Sequence, residues 1–194
     1  MPAIPVRSPS AASRSGGFTV IELMVAIAVL AILVAIATPS FVGVINSNRL
    51  ASHVNEFVGA VQTARIEAVR QNRRVAVCRS ADNATCSAGA AWTGWITIAD
   101  TNGNGAFGAG DTVLRTGSAK APVQVSVGAT ITNNNNAIVF RPDGLAYDTN
   151  GALLVGAVTV CMPTDKPRMN QRVVNIATGS RVSTTQANGA GACP

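Results

Sequence analysis

The stretch SGGFTVIELMVAIAVLAILVAIATPSF, residues 15–41, decides how this chain is built, because it is apolar enough to cross a membrane. Residues 20–37 contain one charged side chain, Glu22, and a bilayer core is spanned by a helix of about 20 apolar residues. A secretory signal carries its small cleavage-site residues after the apolar core. Here the small pair Gly16-Gly17 precedes the core, so cleavage at that pair would leave the apolar helix on the mature chain.

A basic segment precedes the apolar run. Residues 1–17 are rich in proline, serine and alanine, and they carry Arg7 and Arg14 but no acid. Lysine and arginine are enriched on the cytoplasmic side of membrane helices, so we predict a single span with the N-terminus in the cytoplasm. The net charge of the whole chain, +6, permits contact with nucleic acid or an anionic surface without requiring it.

The residues after the apolar run have the pattern of an amphipathic helix. Apolar residues from Leu50 to Val69 recur at spacings of three and four, and the charged residues fall mostly elsewhere. Pro39 lacks the N–H group that a helix interior uses, so we expect a kink or break there. The sequence predicts one long helix from about Thr19 to about Gln71.

Beyond Arg73 the pattern changes to short, β-branched segments such as RRVAVCR, GWITIAD and QRVVNIAT, mostly separated by Gly, Asn, Asp or Pro. This is typical of antiparallel β structure, and residues 132–136, TNNNN, are predicted as a loop. The predicted fold class is α+β, with a long N-terminal helix packed on an antiparallel, β-sandwich-like domain. The predicted divisions are a leader (1–17), the membrane half of the helix (18–41), its amphipathic half (42–72) and the β-rich domain (73–194).

Four cysteines, Cys78, Cys86, Cys161 and Cys193, predict disulfides in an exported chain. The pairs Cys78–Cys86 and Cys161–Cys193 are favoured because the first closes a short local loop, although four cysteines allow three pairings. The alternative is a zinc site. It is not favoured, because the sequence has no C-x-x-C motif and only one histidine.

The N-terminal residues resemble those of type IV prepilins and of the pseudopilins of type II secretion, which carry a class III signal. In that family a prepilin peptidase cleaves after a glycine and methylates the new N-terminal residue. The resemblance therefore implies cleavage between Gly17 and Phe18, with methylation of Phe18. Glu22 is the fifth residue after that cut, where the family carries its glutamate. Pro39 lies where many members have a helix-bending proline.

The domain resembles the GspH/FimT branch of that family, which includes the FimU-like minor pilins. The resemblance rests on GWITIADTNGNGAFGAGDTVLRTG, on IVFRPDGLA, and on the Cys161 strand followed by RVVNIATGSRV. It implies a type IV pilin-like fold and a low-copy subunit that helps initiate or cap a filament. The filament is either a type IV pilus or the pseudopilus of type II secretion. The two predicted disulfides and the basic C-terminal region favour the pilus.

The same resemblance implies the partners and the location. The partners are prepilin peptidase, other pilins or pseudopilins in a filament tip, and the bacterial inner membrane, with the domain in the periplasm. No cofactor and no small-molecule substrate are expected. We expect no enzyme activity either, because His53 is the lone histidine and no nucleophile motif or P-loop is present.

The carboxylate of Glu22 costs several kcal/mol or more in hydrocarbon unless a cation accompanies it. In a filament of staggered parallel helices, the free amine of Phe18 on a neighbouring subunit would supply that cation. We therefore interpret Glu22 as the residue that sets register during assembly. The alternative is an interfacial acid that reaches the cytoplasmic headgroups.

The segment DTNGNGAFGAGD matches the spacing of a calcium loop, with candidate ligands Asp100, Asn102, Asn104 and Asp111. Only two of these are carboxylates, and no flanking helices are predicted. A Gly- and Asn-rich hairpin loop is therefore the favoured interpretation, and calcium is the weaker one.

The C-terminal arginines Arg168, Arg172 and Arg181 are candidate DNA contacts, because phosphate binding requires clustered basic residues. Some FimT-type minor pilins bind DNA for uptake in natural transformation through a Gly-Arg-x-Arg motif. Residues 179–182 read Gly-Ser-Arg-Val, so one arginine of that motif is present and is displaced by one position. A solvated basic face is the favoured interpretation and DNA binding is the alternative.

Overall fold

A computed structural model describes residues 17–194. It describes the side chains of all these residues except residues 37–40. The predicted leader, with Arg7 and Arg14, therefore lies outside the described residues apart from Gly17. The chain divides into two compact units after Ser40.

The first helix, α1, runs from Val20 to Gln71, close to the predicted bounds. It begins after Thr19, whose hydroxyl accepts a hydrogen bond from the N–H of Glu22 at 3.3 Å. Threonine at this position satisfies one of the backbone donors that a helix start leaves free. Pro39 lies within α1, but the structure does not describe its side chain. The kink expected at Pro39 therefore stays a prediction.

Nine strands follow the helix. They are β1 (Val75–Arg79), β2 (Gly94–Ala99), β3 (Thr112–Ser118), β4 (Gln124–Val127), β5 (Ala137–Phe140), β6 (Ala146–Tyr147), β7 (Gly156–Cys161), β8 (Gln171–Ala177) and β9 (Arg181–Ala187). A short helix, α2 (Ala129–Asn133), precedes β5. The loop prediction for residues 132–136 is therefore wrong at its first two residues. A single turn of helix is too short to produce a visible period in the sequence.

The strands form two sheets, and every strand pair is antiparallel. Sheet A has the order β3-β2-β1-β5-β6, and sheet B has the order β4-β7-β8-β9. The predicted class is confirmed: a long N-terminal apolar helix is followed by antiparallel sheets.

The second half of α1 packs against both sheets through one face. Its buried residues share one core with residues of both sheets; they are Leu50, Val54, Phe57, Ala60, Val61, Ala64 and Ala68. The ring of Phe57 meets Trp92 and Trp95 edge-on, with centroids 6.0 and 5.5 Å apart. These tryptophans are core residues, and their contacts with Phe57 tie the helix to the start of β2.

Sheet A is covered on its other side as well. A second cluster contains Ala76, Cys78, Ile96, Ile98 and Ala137. Successive side chains of a strand point to opposite faces, which is why β1 supplies Val75 and Val77 to the main core but Ala76 and Cys78 to this cluster. Phe107 and Cys86, which belong to two long loops, pack against the outer cluster.

Candidate functional site

The N-terminal half of α1 presents apolar side chains on every side. An 18-residue window has a mean hydropathy of 3.0, none of it is buried, and by length and composition the helix can cross a membrane. Phe18 is 85 % exposed. A helix that is hydrophobic all round is stable in water only when something covers it. Within its own unit, this half of the helix is left uncovered.

Glu22 lies in the first turn of this half and is exposed. The N-terminus of a helix carries partial positive charge, so a carboxylate in the first turn is favoured there. Ion pairs within 4 Å among residues 17–194 are His53–Glu56 and Glu67–Arg70, so Glu22 has no such partner among the residues that the structure describes. The carboxylate is thus placed where a cation from outside the subunit can reach it.

The candidate calcium loop is closed by its own side chains. Asp100 accepts hydrogen bonds from the N–H groups of Gly103 at 2.7 Å and Gly105 at 3.0 Å. Asp111 accepts them from Thr101 and Gly108, at 2.9 and 3.0 Å. These hydrogen bonds from backbone N–H groups to Asp100 and Asp111 close the loop at both of its ends.

The two asparagines of the loop act in the same way. Asn102 accepts from the N–H of Asn104 at 2.9 Å, and Asn104 accepts from that of Ala106 at 2.8 Å. Among the described residues, no group of three or more His, Cys, Asp or Glu side chains is placed to hold a metal ion. The observed geometry is that of the hairpin loop favoured from the sequence.

The three candidate DNA-binding arginines do not form one surface. Arg172 is 7 % exposed. Its guanidinium donates to the carbonyl of Met169 at 2.7 Å and to the hydroxyl of Ser47 at 3.2 Å. Burial lowers the pKa of Arg172 below its ordinary value. In this position the guanidinium of Arg172 fastens β8 to α1, and little of it is accessible to a phosphate group.

Arg168 and Arg181 are exposed but lie at opposite ends of the β8–β9 hairpin. Arg181 pairs with Ala177 at the turn, and Arg168 precedes the other end of β8 at Gln171. Six residue-to-residue steps along the strand separate Gln171 from Ala177, which is roughly 20 Å at 3.4 Å per step. The sequence could not show this separation, because it depends on which strands pair and where the turn falls.

Both disulfides have the pairing favoured from the sequence, Cys78–Cys86 and Cys161–Cys193. Asp82 organises the loop of the first pair. The N–H groups of Thr85 and Ala84 hold the pKa of that carboxyl far below its usual range, and the hydroxyls of Thr85 and Ser80 add to the effect.

Asn170 holds the segment of the second disulfide, and the sequence did not single it out. The side chain is fully buried. Its amide donates to the carbonyls of Met162 and Ala192, both at 3.0 Å, and its oxygen accepts from the N–H of Gly189 at 2.8 Å. A buried asparagine leaves no sequence signal distinct from a turn asparagine.

The comparisons with known proteins agree with this architecture. The family model for the type II transport protein GspH matches residues 53–180. The chain belongs to the GspH family. A second model, the prokaryotic N-terminal methylation motif, matches residues 12–38 of this GspH-family chain. The motif and the apolar helix together indicate membrane anchoring.

Solved structures show the same fold. The type IV minor pilin FimU of Pseudomonas aeruginosa, in its P21 crystal form, is 19 % identical to the GspH-family chain, with a TM-score of 0.52. The alignment covers 72 % of this chain and 90 % of that one. The P65 form gives 17 % identity and a TM-score of 0.49, over 70 % and 91 %. No curated protein matches the chain. GspH- and FimU-like pilins are structural subunits, so the chain is a structural subunit and not an enzyme.

Proposed function

We propose that this chain is a minor pilin or pseudopilin that is cleaved between Gly17 and Phe18 and then helps initiate or cap a type IV filament. One observation carries the proposal: an exposed apolar half-helix, which lies within the match to the N-terminal methylation motif, is joined to a GspH-family domain. Before assembly the bilayer would cover this half-helix, and in the filament the equivalent helices of neighbouring subunits would cover it.

The proposed topology is a single span of the bacterial inner membrane, with the leader in the cytoplasm and the domain in the periplasm. Two disulfides support an oxidising compartment for the domain, because disulfides persist in the periplasm and are rare in the cytoplasm. The leader arginines support a cytoplasmic N-terminus. Prepilin peptidase would act at the membrane face where the leader meets the span.

Cleavage can be tested by N-terminal sequencing of the mature chain. A new N-terminus at methylated Phe18 is the expected result, and Gly17→Lys should leave a longer species that retains residues 1–17. Gly43→Lys is the matched control, since it makes the same change within the chain, away from the cut, with no neighbouring atom within 4 Å of the added Cβ. Normal maturation of Gly17→Lys would refute the proposed cleavage.

Assembly can be tested through Glu22. In the proposed filament this carboxylate pairs with the Phe18 amine of a neighbouring subunit. Glu22→Ala should insert and mature normally but co-purify with sheared filaments in reduced amount. Glu67→Ala is the matched control, because Glu67 lies on the domain half of α1 and already pairs with Arg70 at 2.6 Å. Equal incorporation of the Glu22 and Glu67 variants would refute the pairing role.

The choice between a pilus and a secretion pseudopilus turns on which machine loses function when the gene is deleted. We propose the type IV pilus, on the basis of the two disulfides and the basic C-terminal region. Loss of surface pili with secretion intact is the expected phenotype. The opposite result would assign the chain to type II secretion.

DNA capture remains the alternative function. The positions of the three candidate arginines weaken the hypothesis that all of them contact DNA together. With Arg172 buried against α1, Arg168 and Arg181 are the remaining exposed candidates of that set, and they lie at opposite ends of a hairpin. A gel shift with the full chain at low and high salt tests it. Binding that disappears in Arg168→Gln/Arg181→Gln would revive DNA capture.

A further inference from the structure

The first turns of α1 within the domain leave apolar side chains exposed. Four apolar residues of the compact unit that begins at Phe41 are 43 to 64 % exposed; they are Phe41, Val42, Val44 and Ile45. The apolar run that can cross a membrane ends at Ala37, four residues before this unit begins. The interfacial layer just outside the hydrocarbon core covers apolar side chains that follow a span in this way.

The loop between β7 and β8, residues 162–170, lies beside these turns of α1. The side-chain amide of Asn46 donates to the carbonyl of Lys166 at 2.8 Å. Because a helix rises about 1.5 Å per residue, Asn46 is about 8 Å along α1 from Phe41. The interfacial layer is itself roughly 5–8 Å thick on each side of a bilayer. A membrane that covers Phe41 therefore has its headgroups at the level of this loop.

The loop presents positive charge that no acid pairs with. Lys166 and Arg168 are exposed, and so is Arg49 on α1. Arg49 lies on the same side of the helix as Asn46, since residues three apart are neighbours on a helix. Among residues that the structure describes, none of these three cations has a carboxylate within 4 Å. The acid of the loop, Asp165, leaves a surplus of two positive charges in this group.

The loop is ordered before it meets any surface. Its two ends are tied together, because the N–H of Met162 donates to the carbonyl of Asn170 and the side-chain amide of Asn170 donates to the carbonyl of Met162, both at 3.0 Å. The hydroxyl of Thr164 accepts from the N–H of Lys166 at 3.1 Å. A preformed surface loses less conformational freedom on binding, which favours affinity.

We propose that the β7–β8 loop docks on the anionic headgroups of the membrane that α1 spans. Lys166 and Arg168 lie at the phospholipid phosphates, and Met169, which is 46 % exposed, enters the interfacial layer together with the apolar turn of α1. This inference rests on the proposed single span and goes beyond it, because it gives the domain a second contact with the membrane. Entry into a filament would release that contact.

An anionic membrane fits this surface better than nucleic acid does. The surface combines basic side chains with the exposed apolar side chains of Phe41, Ile45 and Met169, and a phosphate backbone has no apolar layer to cover them. Each Lys or Arg close to an anionic bilayer shifts the binding equilibrium by about fivefold, and the effect falls off within a Debye length of about 8–10 Å. The apolar turn of α1 brings the loop within that distance.

The test places the full chain in lipid vesicles and measures how close the loop comes to the headgroups. The four cysteines are in disulfides, so Met169→Cys adds a single thiol for a bimane label. Thr178→Cys, in the exposed turn between β8 and β9, is the matched control site. The vesicles contain phosphatidylcholine with a nitroxide on its headgroup, with or without phosphatidylglycerol. The label at residue 169 should be quenched several-fold more than the label at residue 178, and more strongly with phosphatidylglycerol.

The charge requirement is tested by removing the two cations of the loop. Lys166→Gln/Arg168→Gln should lower the ratio of docked to free domain by at least about fivefold. Arg74→Gln/Arg181→Gln removes two exposed positive charges elsewhere and should leave the quenching unchanged. The tryptophan fluorescence of the buried core checks the folding of each variant. Added salt should weaken docking of the wild-type chain as well, because it screens exposed charges, and this measurement needs no substitution.

Insertion is measured separately, by resistance to extraction with carbonate. A chain that does not insert would refute the proposed span, and the docking with it. An inserted chain in which residue 169 is quenched no more than residue 178 would overturn the docking alone. Equal loss in the two double Gln variants, or quenching that does not depend on phosphatidylglycerol, would also overturn it. Quenching that rises with the ratio of protein to lipid would assign the surface to a neighbouring subunit instead.

Discussion

Removing the Cys161–Cys193 disulfide should destabilise the domain more than removing Cys78–Cys86, because the former closes the longer loop. The cysteines are 32 residues apart in one pair and 8 in the other. In the chain-entropy description, the crosslink lowers the entropy of the unfolded chain by about 2.1 + 1.5R ln n cal/mol/K. At 25 °C this gives about 3.7 kcal/mol for the long loop and about 2.5 kcal/mol for the short one.

The native state explains why the difference should survive in experiment. The C-terminal segment stays attached without its disulfide, because Asn170 bonds to Ala192 and Gly189 on that segment. The short loop likewise keeps the hydrogen bonds of Asp82 to Thr85 and Ala84. Both crosslinks therefore act mainly on the unfolded chain, where loop length decides the effect.

The assay is urea unfolding of the full chain in a nonionic detergent. Trp92 and Trp95 are buried in the core and report the transition by fluorescence. The variants are Cys161→Ala/Cys193→Ala and Cys78→Ala/Cys86→Ala, with the wild-type chain as reference. An equal or larger loss in the short-loop variant would refute the loop-length argument. A change only in the slope of the unfolding free energy against urea concentration would mean that the substitution altered the compactness of the unfolded state.

Three further predictions use the same unfolding measurement. Gly117→Ala should lower the free energy of unfolding by about 1–3 kcal/mol, because the added Cβ would overlap the indole ring of Trp95. Gly108→Ala should have little effect, because no atom lies within 4 Å of the added Cβ. Arg172→Gln should lower the free energy of unfolding by about 1–3 kcal/mol, because it removes the part-buried hydrogen bonds to Met169 and Ser47. Arg168→Gln changes an exposed side chain and should stay within about 0.5 kcal/mol of wild type. Because folding lowers the pKa of Asp82, its ionised carboxylate stabilises the folded state above about pH 4, and this stabilisation is lost as the pH falls further. The free energy of unfolding of Asp82→Asn should therefore change less than that of the wild type between about pH 6 and pH 3.

The sequence was sufficient wherever a residue's role depends on its near neighbours along the chain. The bounds of α1 follow from the apolar run and the spacing of Leu50, Phe57 and Ala64, because a helix repeats its faces every three to four residues. The strands follow from short β-branched segments between turn residues. The Cys78–Cys86 pair closes a local loop and was favoured for that reason.

The role of each arginine could not be predicted from the sequence. Arg168 and Arg172 are four residues apart, yet one is exposed and the other is buried against Ser47, because α1 lies over β8 at that point. Arg74 and Arg141 are far apart in the chain and unremarkable in composition. They come to line one cleft only because β1 pairs with β5.

The sequence by itself therefore determined the apolar helix with Glu22, the methylation motif and the α+β class, because each depends on a local pattern, and it favoured the local pair Cys78–Cys86 for the same reason. The tertiary structure alone decided which charges are solvated, which fasten the helix to the sheets and which face a cleft. The physical reason is that the cost or benefit of a charge depends on its burial and its nearest partners. Strand pairing and helix packing determine the burial and the partners of a charged group, and they bring together residues that are far apart in the sequence.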